Sequence, residues 1–469
     1  MLFVQPIYLV FFVIVFTAYW SIRSNRRRKA LLLLASYIFY GAWDWRFLSL
    51  IWVSTMVDYL VGLQLGRTAA AQPRRLLLAL SLVVNLGLLG FFKYFHFFVD
   101  SFTDLVNALG LPPPGPTTLN IILPVGISFY TFQTLSYTID IYRGKLEPTR
   151  DLLDLSLFVG FFPQLVAGPI VRAADFLPQL ESRRLFSSVD VRWALVLFLV
   201  GFFKKVCVSD NIAPAIDAYF ANPQEYTAVS AMVAIALYAI QIYCDFSGYS
   251  DMAIASAALL GYRLCLNFDF PLLAPNITEF WRRWHISLST WLKDYLYISL
   301  GGNRKGPRRT MFNVMGTMVL GGLWHGAAWT FVIFGMLHGM ALLIHRGWVL
   351  LVGERFRSSR GWSLLCCPIT FYWFCLTLIF FRAQSFSQAW ITCRSCLLFE
   401  SPGTEQLALS WLCLAALLLL VHWISYRRFV TEWWRRGPDW AFACGLGLVV
   451  ALIMTLVPTT TQPFIYFQF

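Results

Sequence analysis

The sequence predicts an all-α polytopic membrane protein. Of its 469 residues, 58% are hydrophobic and only 13% are charged, about half the ~25% charged share of soluble domains. The hydrophobic residues gather in runs of bilayer length, and the mean hydropathy is +0.63. A water-soluble fold so poor in charge could not cover its own surface. The same composition excludes collagen-like, disordered and disulfide-scaffold proteins.

Apolar runs occupy 2–20, 30–43, 47–66, 76–99, 119–142, 193–208, 227–258, 362–381, 407–426 and 439–458. A bilayer core takes ~20 helical residues. Residues 311–345 are apolar but broken by Gly321-Gly322 and Gly326, which predicts a tight hairpin or re-entrant pair. The first run lacks a basic leader and is followed by Arg23 and by Arg26 to Lys29. It therefore reads as a retained span whose C-terminal end faces the cytoplasm.

The formal charge is +13, from 37 Lys+Arg against 24 Asp+Glu. In a soluble protein that balance suggests nucleic acid. Here the cations sit in short connectors between apolar runs, so it reads as positive-inside bias and contact with anionic membrane lipids, with no nucleic acid. The basic connectors are 23–29, 67–75, 143–150, 172–192, 303–309, 346–360 and 427–436. Placing them in the cytoplasm puts both termini outside, provided that 153–170 dips in and returns. The scheme closes with roughly eleven to thirteen transmembrane or re-entrant helices. One membrane-embedded domain is expected over 1–458, with core motifs in 121–345, followed by an aromatic tail over 459–469. The stretch 101–118, with Pro112-Pro113-Pro114, reads as an outer loop or short surface helix.

Ionisable groups inside apolar sequence are costly, at least ~2.5 kcal/mol each at a helix centre, and so mark candidate sites. Six His are present. His325, flanked by Gly322 and Gly326, lies near the middle of the 311–345 stretch. It is either a general base, for which imidazole suits neutral pH, or a core His joining two helices. His285 follows Asn276 and Glu279, a capping-box pair that predicts a helix start. Trp281, Trp284, His285, Leu288, Trp291, Leu292 and Tyr295 then recur at helical spacing, with Arg282, Arg283 and Lys293 off that face. Spacing alone favours a membrane-surface anchor over an inward-pointing His285. His338 reads as a supporting partner, His345 as interfacial, and His96 and His422 as structural. Asp245 and Asp251 suggest a buried hydrogen-bond network, and Lys204-Lys205 should snorkel to an interface.

No metal site is expected. The one CxxC pair, Cys393/Cys396, lacks a second pair or a nearby His, although a disulfide there is open in an oxidising compartment. The terminal residues Phe464-Ile465-Tyr466-Phe467-Gln468-Phe469 read, by themselves, as an interfacial anchor.

The segments FWRRWHISLSTWLKDYLYISLGGNRKG (280–306) and GGLWHGAAWTFVIFGMLHG (321–339) resemble the core of the membrane-bound O-acyltransferase family, and within it the bacterial alginate O-acetyltransferase branch. LPVGISFYTFQTLSYTIDIYRG (123–144), FFPQLVAGPIVRAADFLPQL (161–180), CDFSGYSDMAIA (244–255) and ASYIFYGAWDWRF (35–47) extend the likeness over nearly the whole chain. The resemblance implies a ring of tilted helices around a thinned centre, with His325 as the catalytic His and His285 as a supporting or substrate-positioning one. It likens the tail to a C-terminal aromatic motif with a central Tyr, which makes Tyr466 a candidate nucleophile.

It also implies acetyl-CoA as the acyl donor, whose phosphates would suit Arg282, Arg283, Lys293, Arg304 and Lys305. The acetyl group would leave the cytoplasm across a bacterial inner membrane. A periplasmic or surface Ser-His-Asp hydrolase-like acetyltransferase would pass it to an exported polysaccharide such as alginate. Alternatives are D-alanyl, lipid or other-polymer acyl transfer within the family. A small-solute transporter is the alternative of another class. It should show internal repeats, and the chain has no evident repeat.

Overall fold

Long apolar runs become helices because a helix satisfies every backbone amide within its own segment. The computed structural model describes residues 1–112, 115, 119–166, 168–352, 360–427, 433–459 and 462–467, with only the backbone given for 360–364, 433 and 467. Pro113 and Pro114 of the 101–118 stretch, part of the connectors 346–360 and 427–436, and residues 460, 461, 468 and 469 of the tail lie outside the described residues. Backbone contacts group the chain into two compact units, Met1–Val191 with Ala253–Cys265, and Arg192–Met252 with Leu266–Phe469.

The first unit contains α1 (Pro6–Ser21), α2 (Asn25–Asp44), α3 (Leu48–Arg67), α4 (Ala71–Leu89), α5 (Phe95–Ala108), α6 (Ile127–Tyr142), α7 (Leu152–Gly160), α8 (Phe162–Leu165) and α9 (Ala173–Glu181). A polar knot lies in its interior. Asp58 on α3 accepts from Ser81 (2.5 Å) and Asn85 (3.0 and 3.1 Å) on α4. Asn85 in turn accepts from Ser54 of α3 and Thr134 of α6, so three helices share one hydrogen-bonded knot. The stretch 153–170, expected to dip in and return, forms α7 and α8, nine and four residues long, broken at Phe161. Neither is long enough to cross a bilayer.

The second unit contains α10 (Val191–Phe202), α11 (Asp210–Ala221), α12 (Ala228–Leu259, whose last turns belong to the first unit), α13 (Ile277–Arg283), α14 (Ile286–Trp291), α15 (Pro307–His325), α16 (Trp329–Val352), α17 (Arg360–Arg382), α18 (Phe386–Leu398), α19 (Leu409–Tyr426) and α20 (Asp439–Thr455). Six stretches among the described residues are long and apolar enough to cross a membrane: Asn25–Arg67, Ala71–Ala108, Ala228–Leu259, Trp329–Val352, Leu365–Arg382 and Leu409–Tyr426. The chain is a multi-pass, all-helical membrane protein. The other apolar runs form shorter helices.

Three expectations need correction. The helix expected from Asn276 onward does start there, with the Asn276 side chain accepting from Glu279 N at 2.9 Å. It then stops at Trp284, because His285 takes a left-handed backbone (φ 43°) and α14 begins anew. The apolar face is real but packs inside the protein: Trp284, His285, Leu288, Trp291, Leu292 and Tyr295 are all buried. The surface-anchor reading fails for that reason.

The glycine pair Gly321-Gly322 does not break a helix; it lies inside α15, and the turn comes at Gly326–Ala328. An added Cβ at Gly322 would sit 2.2 Å from the Phe331 carbonyl oxygen, and one at Gly335 would sit 2.4 Å from that of Met318. These glycines let the backbones of α15 and α16 touch, as small residues do between membrane helices.

Finally, Lys204 and Lys205 do not reach for an interface. Lys204 pairs with Asp251 at 2.7 Å, and Lys205 is buried between Asp210 (2.8 Å) and Asp245. The physical reason is a π-helical stretch over Phe203–Ser209. The wider i→i+5 winding shifts the helical register and so alters which side chains face inward.

Candidate active site

His325 ends α15. The α15–α16 hairpin buries its ring to 4% exposure. Aromatic rings surround it: Trp324, Phe334, Phe381 and Tyr466, at centroid distances of 5.1, 5.8, 5.3 and 5.6 Å. Its Nδ1 lies 3.0 Å from the Tyr466 hydroxyl. That is hydrogen-bond distance for proton transfer between a phenol and an imidazole.

Tyr466 comes from the tail, in a short 3-10 turn over Ile465–Phe467. Its ring lies 4.7 Å from Phe246, 6.0 Å from Trp324 and 5.5 Å from Phe464. Burial, with the nearby Tyr238 and Asp245, pushes its hydroxyl well above the usual phenol range. The phenol therefore stays protonated at neutral pH and needs a base to become a nucleophile.

The tail is held mainly by its backbone. Ile465 N donates to Asp245 Oδ2 at 2.9 Å, and Gln462 N donates to Asp210 Oδ2 at 3.3 Å. Lys205 Nζ donates to the carbonyls of Gln462 (3.1 Å) and Pro463 (3.5 Å). Hydrogen bonds to charged groups contribute about 1.5–3 kcal/mol each, and three buried charges would be costly without such partners. Phe464 is fully buried against Tyr249 and Phe246, with centroids at 4.4 and 5.7 Å.

His285 stands one aromatic layer away. Its ring meets Phe246 edge-on at 4.6 Å and Trp324 at 5.6 Å, and both of those rings also contact Tyr466. Asn267 Oδ1 lies 3.1 Å from His285 Nδ1 and accepts from Ser287 Oγ (2.8 Å) and Ser287 N (3.3 Å). The Ser287 amide is a fixed donor, so it orients the Asn267 carboxamide with its oxygen toward His285. An oxygen there can only accept, so His285 Nδ1 carries the ring proton. Burial drives the His285 pKa down to about 3, so the ring is neutral throughout the physiological range.

Among the other His residues, His338 also stands one ring away from His325, through Phe334. His338 lies 3.1 Å from Thr377 Oγ1 and is packed against Phe334 and Trp281. His345 lies 2.9 Å from Thr278 Oγ1, and His422 packs on Tyr243 and Phe270.

The basic residues divide into two groups. Arg282 and Arg283 both address Glu279, at 2.6 and 3.9 Å, and Arg283 also lies over the Tyr426 ring. Lys293, Arg304 and Lys305 are exposed. Lys293 sits in the π-helical stretch Leu292–Tyr297, and Arg304 and Lys305 in the turns before α15. Among the described residues no cluster of three or more His, Cys, Asp or Glu is placed to hold a metal. Cys393 and Cys396 are free thiols on α18.

Sequence reasoning placed His325, His285 and Tyr466 among the site residues but missed Asn267 and the role of Lys205. Asn267 looks like any loop polar residue, and the π-helical offset that turns Lys205 inward leaves no trace in hydrophobic periodicity.

Residues 146–383 match the model of MBOAT, the membrane-bound O-acyltransferase family. The chain is 43% identical to a probable alginate O-acetylase AlgI of Pseudomonas aeruginosa, over 83% of this chain and 74% of that protein. It is 37% identical to a probable alginate O-acetylase AlgI of Pseudomonas putida over the full length of both. It is also 36% identical to a peptidoglycan O-acetyltransferase of Helicobacter pylori, over 83% of this chain and 78% of that one. With a buried imidazole set against a phenol inside a multi-pass helical protein, and a likeness that runs from end to end, the chain belongs to the membrane-bound O-acyltransferase family and is an O-acyltransferase.

Proposed function

We propose that the protein takes an acetyl group from cytoplasmic acetyl-CoA and moves it across the bacterial inner membrane on Tyr466, for O-acetylation of an exported polysaccharide. The observation that carries this is the 3.0 Å separation between the Tyr466 hydroxyl and His325 Nδ1. In the first step His325 Nδ1 takes the phenol proton as the oxygen attacks the thioester carbonyl. The C–S bond breaks, and the departing thiolate receives the proton from the imidazolium. The product is an acetyl ester of Tyr466. In the second step an acceptor hydroxyl attacks that ester with His325 again as base. The phenol leaves and recovers the proton.

A phenolate is a better leaving group than an alkoxide, so the ester stands between thioester and sugar ester, and both transfers run downhill. The exposed Lys293, Arg304 and Lys305, with Arg282 and Arg283, offer cations for the CoA phosphates. The names of the relatives support alginate or another cell-envelope polymer as the final acceptor. A hydrolase-like acetyltransferase with a Ser-His-Asp triad outside the membrane is the expected intermediary. Both termini are then on the outer side, where the basic connectors also place them.

The test is mass spectrometry of the purified chain after incubation with isotope-labelled acetyl-CoA. Label should appear on the C-terminal peptide and be absent in Tyr466→Phe and in His325→Ala. Label that persists in Tyr466→Phe would place the intermediate elsewhere.

A further inference from the structure

We propose that Lys205, Asp210 and Asp245 form a binding site for a peptide main chain, occupied by residues 462–465, and act as positioning residues that set Tyr466 against His325. This rests on the functional reading above for its purpose, but not for its geometry. Among the described residues, the hydrogen bonds from the three charged groups to the tail fall on backbone atoms. Asp245 takes the Ile465 N–H, Asp210 takes the Gln462 N–H, and Lys205 gives to the Gln462 and Pro463 carbonyls. The Lys lies between the two acids, in ion-pair contact with both. It links the clamp into one unit that presents acceptor, donor and acceptor along the tail.

The clamp alone would not fix which residue lands at His325, because main-chain groups repeat along any peptide. Phe464 supplies the register. It fills a pocket made by Phe246 and Tyr249 of α12, between the backbone contacts of Gln462 and Ile465. Tyr466 is then two residues on, and Phe246 contacts both rings. Asp245 and Phe246 are neighbours on α12, so one turn of helix holds the tail backbone with one residue and aligns the tail rings with the next.

The clamp also borders a polar cavity lined by Lys205, Asp210, Tyr238, Asp245 and Arg382, with Gln462, Pro463 and Ile465 closing one side.

The experiment uses the full chain in lipid nanodiscs with labelled acetyl-CoA. Two variants are compared with the parent: Ile465→Pro, which removes the N–H that Asp245 accepts, and the charge-balanced pair Lys205→Met with Asp245→Asn. Three readouts are followed: label on the C-terminal peptide, the rate at which a carboxypeptidase trims the C-terminus, and His325-dependent acetyl transfer to added p-cresol, which mimics the tyrosine side chain. The expected result in both variants is at least a tenfold loss of tail label and at least tenfold faster trimming, with transfer to p-cresol kept or raised.

Unchanged trimming and label in both variants would overturn the clamp. So would equal loss of tail label and cresol transfer in Ile465→Pro, since that variant leaves the charged cluster intact. Trimming reads tail seating without any acyl chemistry. Faster trimming in the variants, with no label on the parent's tail, would therefore uphold the clamp and sink the Tyr466 relay instead.

Discussion

The phenol oxygen of Tyr466 lies 3.0 Å from Nδ1 of His325, although 141 positions separate the two residues in the chain. The hairpin of α15 and α16 brings one partner and the C-terminal tail brings the other. Two independent pieces of the sequence thus meet at a single proton.

If both residues serve one step, their losses should not add. His325→Ala should lower acetyl transfer to the natural acceptor by about 10²–10⁴-fold, the usual contribution of a general base. Tyr466→Phe should do comparable damage, and the double variant should be little worse than either alone. Steady-state acetyl-transfer rates of the two single variants and the double variant measure this. Full additivity of the two losses would mean that the residues act in separate steps.

His285 makes stability depend on acidity in a stated direction. The folded chain holds the ring neutral down to about pH 3, while the unfolded chain protonates it near 6.5. Between those values the unfolded state binds more protons. Stability from this group is therefore full above pH 6.5 and falls on acidification, by at most about 1.4 kcal/mol per pH unit. Thermal unfolding midpoints in detergent should drop from pH 6.5 toward 4, and His285→Gln should flatten that drop. A variant with the parent's slope would show that other groups set the dependence.

Gly322 tests how closely α15 and α16 must approach. A Cβ there would stand 2.2 Å from the Phe331 carbonyl oxygen, part of the backbone, so no side chain can swing aside to accommodate it. Gly322→Ala should destabilise the protein by up to about 3 kcal/mol and displace His325, which ends the same helix. Gly316, where a Cβ meets nothing within 4 Å on that helix, is the control site. Equal melting temperatures for Gly322→Ala and Gly316→Ala would refute the close-packing argument.

The cations paired with Glu279 can be separated from the others. Arg282 and Arg283 share Glu279, whereas Lys293, Arg304 and Lys305 project from short or irregular segments. Reversing Lys293, Arg304 and Lys305 to Glu should raise the KM for acetyl-CoA at least tenfold, leave kcat within about threefold, and weaken the dependence of KM on salt. A fall in kcat at constant KM would assign these residues to something other than donor binding.

Much of this architecture was legible in the residues. Apolar run lengths marked most of the helices, Asn276 with Glu279 marked the start of α13, and the glycines around His325 pointed to a hairpin. Scarce ionisable groups in apolar sequence drew attention to His325 and His285, and motif likeness added Tyr466. What stayed hidden depends on backbone states that periodicity does not encode. The left-handed conformation of His285 divides a face that looks continuous on a helical wheel. The π-helical stretch at Phe203–Ser209 turns Lys205 inward where an ideal helix suggests an interfacial lysine. Asn267 gains its importance only when folding places it beside His285, 18 positions away.

The hold on the C-terminal segment has a bearing on how this protein can change over time. Amide hydrogens and carbonyls are common to nearly every amino acid, so mutation at most positions along that segment leaves the attachment intact. Proline at a donating position is the exception. The two rings of Phe464 and Tyr466 are then the letters under selection, spaced by a buried residue, Ile465, that must keep its amide hydrogen. Inheritance can preserve the carrier while erasing most of the spelling around it.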